Sequence, residues 1–183
     1  MQHIKKNLVY LTGFMGSGKS TLAPLLANTL GYSYLDIDTE IETTTGKSVS
    51  EIFSELGEEY FREIERRALD NVSQKKGCVI SLGGGTIANQ NNLNIIKTSG
   101  VLIYLKADAE HIFRRLRFRS DRPMLKSTDG NSLNDEELRV RIQHLLAIRE
   151  PFYKQADITI VTDERRIGIT VDEIVRHIKH LIV

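Results

Sequence analysis

Nine residues near the start of the chain, Gly13-Phe14-Met15-Gly16-Ser17-Gly18-Lys19-Ser20-Thr21, have the spacing G-x-x-x-x-G-K-[ST]. Phosphate chemistry accounts for each residue type. The glycines let backbone N–H groups crowd a polyphosphate without Cβ clashes. Lys19 can reach β- and γ-phosphates, and the Ser20 hydroxyl can ligate Mg²⁺. Gly16, Ser17, Gly18, Lys19, Ser20 and Thr21 are therefore candidate nucleotide contacts. A dinucleotide fingerprint fits less well, because Gly16-x-Gly18-x-x-Thr21 lacks its third glycine.

Further on, Asp36 and Asp38 stand two apart. In an extended segment both side chains would face the same way. One carboxylate could hold the water shell of Mg²⁺, and the other could receive or orient the proton of an attacking hydroxyl. The plainer alternative is that both cap the next helix. Arg62 has Glu65 three residues on, on the same helical face, as a brace. Arg149 lies in Arg149-Glu150-Pro151-Phe152-Tyr153, where Pro151 punctuates a helix. Gly83-Gly84-Gly85 exposes backbone N–H groups and lets a ligand approach the chain closely. Three glycines weaken a strand end, which argues for a functional reason.

These residues need elements to hold them. Leu8-Val9-Tyr10-Leu11 suits a buried strand, and Leu22, Leu25, Leu26 and Leu30 recur at helical spacing until Gly31 stops the helix. A strand is expected at Tyr34–Asp38. A helical region over 39–76 follows, with capping boxes Thr39-x-x-Glu42 and Ser48-x-x-Glu51. Strands at Cys78–Leu82, Val101–Leu105 and Ile158–Val161 alternate with helices at about 91–98 and 108–119. A last helix is expected from the box Thr170-x-x-Glu173, with Val171, Ile174, Val175 and Ile178 on one face.

Such alternation with near-continuous apolar strands implies an α/β fold, a parallel sheet covered on both sides. Ligands in these folds bind beyond the carboxyl ends of the strands. The phosphate loop, the two aspartates and the triple glycine should therefore share one cleft. Residues 119–134 are polar and turn-rich, and read as a lid that carries Arg122 toward the phosphate site. A surface loop is the alternative.

A chain of 183 residues suffices for one domain spanning 1–183. Its net charge of +1 gives no electrostatic case for nucleic acid or an anionic membrane as partner. Cys78 is the only cysteine, so an internal disulfide is excluded, and a buried, inert thiol in a reducing cytoplasm is expected. No stretch has the length of a membrane span, and no leader is expected before the first strand.

Taken in order, these segments resemble shikimate kinases. The resemblance runs from 13–21 through Leu35-Asp36-Ile37-Asp38, Phe61-Arg62-Glu63-Ile64-Glu65 and Gly83-Gly84-Gly85 to Asp121-Arg122-Pro123-Met124-Leu125 and Arg149-Glu150-Pro151-Phe152-Tyr153. It implies a three-layer fold with a five-stranded parallel sheet, of the nucleoside monophosphate kinase type. It implies transfer of the ATP γ-phosphate to the 3-hydroxyl of shikimate, in aromatic amino-acid biosynthesis. Asp38 would then bind the acceptor hydroxyls and act as base. Arg62 and Arg149 would grip the carboxylate, with Gly83, Gly84 and Gly85 around the ring. Arg122 would swing onto the transferring phosphate, Ser20 would hold Mg²⁺ with Asp36 helping through water, and Arg115 and Arg166 would lie on the nucleotide side. Shikimate and ATP would be the partners of a cytoplasmic monomer. Where the family has a proline after Arg166, this chain has Ile167-Gly168, and its lid is long.

Two arginines facing a carboxylate also suit a small acidic polyol, since guanidinium recognises carboxylate bidentately. A gluconate-type kinase is the nearest rival, and a nucleoside monophosphate kinase a more distant one. A nucleotide switch would carry an acid at the end of strand three, where Ser81-Leu82-Gly83 stands.

Overall fold

The computed structural model describes residues 6–118, 133–162 and 166–182. Five short runs form one sheet: β1 (Leu8–Thr12), β2 (Ser33–Asp36), β3 (Cys78–Ser81), β4 (Gly100–Lys106) and β5 (Ile158–Val161). Every pairing is parallel, and the order across the sheet is β2-β3-β1-β4-β5. The helices are α1 (Lys19–Leu30), α2 (Ile37–Thr45), α3 (Val49–Ser73), α4 (Gln90–Ser99), α5 (Ala109–Leu116), α6 (Asp135–Tyr153) and α7 (Ile167–Ile178), with a 3-10 turn at Thr86–Ala88.

The pleat of the central strands feeds two cores. Val9 and Leu11 of β1 pack with Leu22 and Leu26 of α1 and Ile174 and Ile178 of α7. Leu8 and Tyr10 point the other way, to a larger core with Ile37, Ile52, Leu69, Ile96, Phe113 and Ile142 from α2 to α6. Both faces are covered, so β1 is buried at every position and shows no polar alternation. Cys78 is buried in β3, 1% exposed. The register sets Ser81 of β3 beside Leu11 of β1 on one side and Asp36 of β2 on the other. The carboxyl ends of three strands are thus level, and the chain leaves each of them at the same edge.

Several boundaries differ from the sequence expectation. The strand expected to run to Asp38 ends at Asp36, whose carboxylate caps α2 by accepting the Asp38 N–H at 3.0 Å. Such a cap is worth about 1 kcal/mol, and it starts the helix before Thr39 can. The box at Thr39 is therefore unused, whereas the box at Ser48 forms in full and opens α3. Asp38 lies in a helical first turn, so the two aspartates do not share a strand face. A helix cap brings them together instead. α3 is itself kinked at Gly57, with φ 83°. α7 starts behind Arg166, and Thr170, which was expected to cap it, is buried within its first turn, 4% exposed.

α6 begins at a box that the sequence reading passed over. Asn134 accepts the Glu137 N–H, and Glu137 returns the bond. The last residue assigned to the lid is thus a helix cap, and Leu133 packs against the core. Residues 119–132, with Arg122, lie outside the described residues. Pro151 stands inside the last turn of α6, which runs two residues further to Tyr153. A proline there forfeits only the bond to Ala147, and the helix has little left to lose.

Candidate active site

Gly13 must follow β1 for two reasons. Its φ is 148°, and a Cβ there would lie 2.6 Å from the Leu105 carbonyl and 2.8 Å from Ser17 Oγ. The loop then climbs over Gly16 to Gly18, the N-cap of α1. Lys19 folds back across it, donating to the carbonyls of Gly13 at 2.7 Å and Phe14 at 3.2 Å. Its ammonium is therefore held over the loop. Ser20 and Thr21 are exposed in the first turn of α1, where free N–H groups and the helix dipole favour an anion. Ser17 is buried, its N–H donates to Phe14 O at 3.1 Å, and its Oγ has no hydrogen-bond partner among the described residues. Arg115 of α5 crosses the outside of the loop, donating to Gly16 O at 2.8 Å and Thr162 O at 3.4 Å. Thr162, just past β5, donates in turn to Ser17 O at 3.0 Å. Arg166 is exposed at the N-cap of α7, four residues beyond Thr162.

The triple glycine is the meeting point on the other side. A Cβ on Gly83 would lie 3.2 Å from Asp38 Oδ1 and 3.3 Å from Glu65 Oε1. On Gly84 it would lie 2.9 Å from Arg149 Nη1, and on Gly85 3.0 Å from Arg62 Nη2. A side chain at any of the three would fill the space that these groups enclose. Asp38, Arg62 and Arg149, spread over some 110 positions of sequence, thus line one cleft. The phosphate loop borders it: a Gly84 Cβ would stand 3.7 Å from Gly13 O, and the Arg149 guanidinium lies 5.7 Å above the Phe14 ring.

Arg62 is held from behind. Glu65, 1% exposed, accepts from Arg62 Nη1 at 2.9 Å and from Thr86 Oγ1 at 2.7 Å, and Glu58 accepts from Arg62 Nη2 at 3.0 Å. The sequence spacing indicated Glu65 as the brace. It gave no role to Thr86, although that residue follows the glycines directly, nor to Phe14 or Tyr153 inside the quoted motifs.

Electrostatics separate the two aspartates. Burial, then the charges of Asp36 and Glu65, push the Asp38 carboxyl up to about 6, and Lys19 opposes them in part. A carboxylate with a pKa near the working pH is suited to take a proton. The protonated form is inactive in that role, so kcat/KM should fall as pH drops through about 6. Asp36→Asn removes the second cause of the upward shift and should move this acid limb to lower pH. A limb unmoved in the Asn variant, in a pH–rate profile, would separate the titration from Asp38.

Ser20 Oγ and the Asp36 carboxylate are hard oxygen donors at the phosphate edge. Oδ1 of Asp36 is engaged in the cap, and Oδ2 accepts from the Tyr34 hydroxyl at 3.5 Å. Among the described residues no three His, Cys, Asp or Glu side chains gather as a metal cage. One or two oxygens fit Mg²⁺, which keeps several waters and is completed by substrate phosphates.

A glycine-rich phosphate loop after the central strand of a sheet with this order marks a P-loop kinase of the nucleoside monophosphate kinase type. The family model for shikimate kinase matches residues 15–180. The shikimate kinase of Chlorobaculum tepidum is 48% identical over 173 residues, covering 94% of this chain and 91% of that one. That of Chlorobium phaeobacteroides is 48% identical over 176 residues, covering 96% and 93%. The structure of shikimate kinase from Acinetobacter baumannii in complex with shikimate superposes with a TM-score of 0.85 at 32% identity, covering 96% of this chain and 94% of the other. That of Bacteroides thetaiotaomicron gives 0.86 at 34% identity, covering 94% and 98%. The chain belongs to the shikimate kinase family.

Proposed function

We propose that this protein transfers the γ-phosphate of ATP to the 3-hydroxyl of shikimate, giving shikimate 3-phosphate and ADP for aromatic amino-acid biosynthesis. The observation that carries this reading is the meeting of Asp38, Arg62 and Arg149 around the glycines, against the loop that holds Lys19. The acceptor oxygen attacks the γ-phosphorus, its proton passes to Asp38, and the bond to the β,γ-bridging oxygen breaks. Arg62 and Arg149 bind the acceptor carboxylate and so fix its register. Lys19 exchanges its loop carbonyls for phosphate oxygens and stabilises the charge that spreads over them. Gly16, Gly18 and Ser20 contribute the N–H groups of the loop and helix start, Thr21 its exposed hydroxyl, and Arg115 and Arg166 flank the nucleotide. Mg²⁺ held by Ser20, with Asp36 through water, would neutralise phosphate charge when bound.

The remaining expectations belong to this reading: one catalytic domain over 1–183, acting as a monomer in the cytoplasm. No helix among the described residues is long and apolar enough to cross a membrane. On the reading of 119–132 as a lid that would bring Arg122 onto the transferring phosphate, Arg122→Ala should lower kcat more than it weakens shikimate binding. An unchanged kcat with only a raised KM for ATP would make it a simple nucleotide contact.

A coupled ADP-release assay with shikimate, gluconate and AMP offered separately tests the whole. ADP release that depends on shikimate alone is expected. Comparable turnover with gluconate, or hydrolysis indifferent to all three, would overturn the assignment.

A further inference from the structure

One group in the cleft wall has no part in the mechanism above. Tyr153 ends α6, is 0% exposed, and stacks on Tyr104 of β4 with ring centroids 5.0 Å apart at 25°. Tyr104 pairs with Thr12, the residue before the phosphate loop. The Tyr153 ring is therefore clamped between a helix end and the sheet. Its hydroxyl donates to the Gly84 carbonyl at 2.8 Å and accepts from Arg149, one helical turn earlier. Burial holds this hydroxyl above the usual tyrosine range, so it stays protonated and remains a donor.

Those two bonds reach two groups of the acceptor cleft at once. A glycine turn has wide backbone freedom, and an unanchored peptide there would sample several orientations. Pinning the Gly84 carbonyl fixes the Gly84–Gly85 peptide plane and turns the Gly85 N–H away from Tyr153, because the peptide is trans and planar. The contact to Arg149 fixes a long side chain that would otherwise lose rotamer entropy on binding. We infer that Tyr153 is a positioning residue that sets the glycine turn and Arg149 together for the acceptor, from a place no ligand can touch.

The inference rests on the acceptor cleft proposed above. Tyr153→Phe keeps the ring and its stack and removes only the hydroxyl. In the purified protein, the KM for shikimate should rise about tenfold, the worth of one buried hydrogen bond, with the KM for ATP unchanged. The rise in Tm given by saturating shikimate should shrink while that given by ATP persists, a measurement that needs no turnover. A merely structural tyrosine would move both KM values and both ligand-induced shifts alike, and that outcome overturns the inference. So does a variant with wild-type KM for shikimate. Failure of the wild-type chain to phosphorylate shikimate would overturn the proposed function and this inference together. An active wild type with an unaffected variant would overturn the inference alone.

Discussion

The Asp38→Asn enzyme is expected to lose roughly 10²–10⁴ of kcat while still binding ATP, the range for loss of a general base. The exchange keeps size and one acceptor oxygen and deletes the charge. Asp38 faces Gly83 and Glu65 on the acceptor side and feels the phosphate loop through the charge of Lys19, so the loop should keep its fold and ATP should still bind. The same substitution should stabilise the fold. A carboxyl raised to about 6 in the folded chain, against 3.8 ordinarily, makes its charged form a burden on the folded state. The folded state holds the proton more tightly, so that burden is absent below the ordinary value, grows as pH rises between the two, and is complete above about 6. Asp38→Asn should then raise Tm by several degrees at about pH 8 and scarcely at about pH 4. Activity and stability moving in opposite directions would be the mark of a functional carboxylate. Asp36→Asn should instead keep the α2 cap, because an amide oxygen also accepts the Asp38 N–H, and weaken the dependence on Mg²⁺. If both variants changed Mg²⁺ affinity equally and left shikimate binding alone, Asp38 would belong to the metal and not to the acceptor.

Lys19→Ala should cost about a hundredfold or more in rate, because phosphoryl transfer is driven chiefly by positioning and electrostatics. Lys19 is held by the Gly13 and Phe14 carbonyls, so its charge already stands over the loop and passes from those carbonyls to the phosphate oxygens when phosphate arrives. The loss should therefore fall on kcat more than on the KM for shikimate. Lys19→Arg should not rescue it, since a planar fork does not replace a compact ammonium over a tight loop. Near-normal turnover of Lys19→Ala, in single-turnover measurements with saturating ATP, would remove the loop lysine from the mechanism.

The local spacing of residues was enough for much of this protein. The phosphate loop, its flanking strand and helix, and the alternation that gives a doubly covered parallel sheet are all read from short windows, because each depends on backbone rules that act over a few residues. The Arg62–Glu65 pair follows from helical periodicity in the same way. What only the tertiary structure decided is longer in range. Asp36 and Asp38 were expected to act as neighbours on a strand, but a cap and the first turn of a helix hold them, since the Asp36 side chain competes with the ladder for the Asp38 N–H. The level ends of β1, β2 and β3 come from sheet register, which no local window encodes. The Tyr153 bond to Gly84 spans 69 positions of sequence. It exists because α6 packs over β4 and brings its last turn to the carboxyl edge of the sheet. Local chemistry named the groups, whereas packing of distant elements set the distances at which they meet.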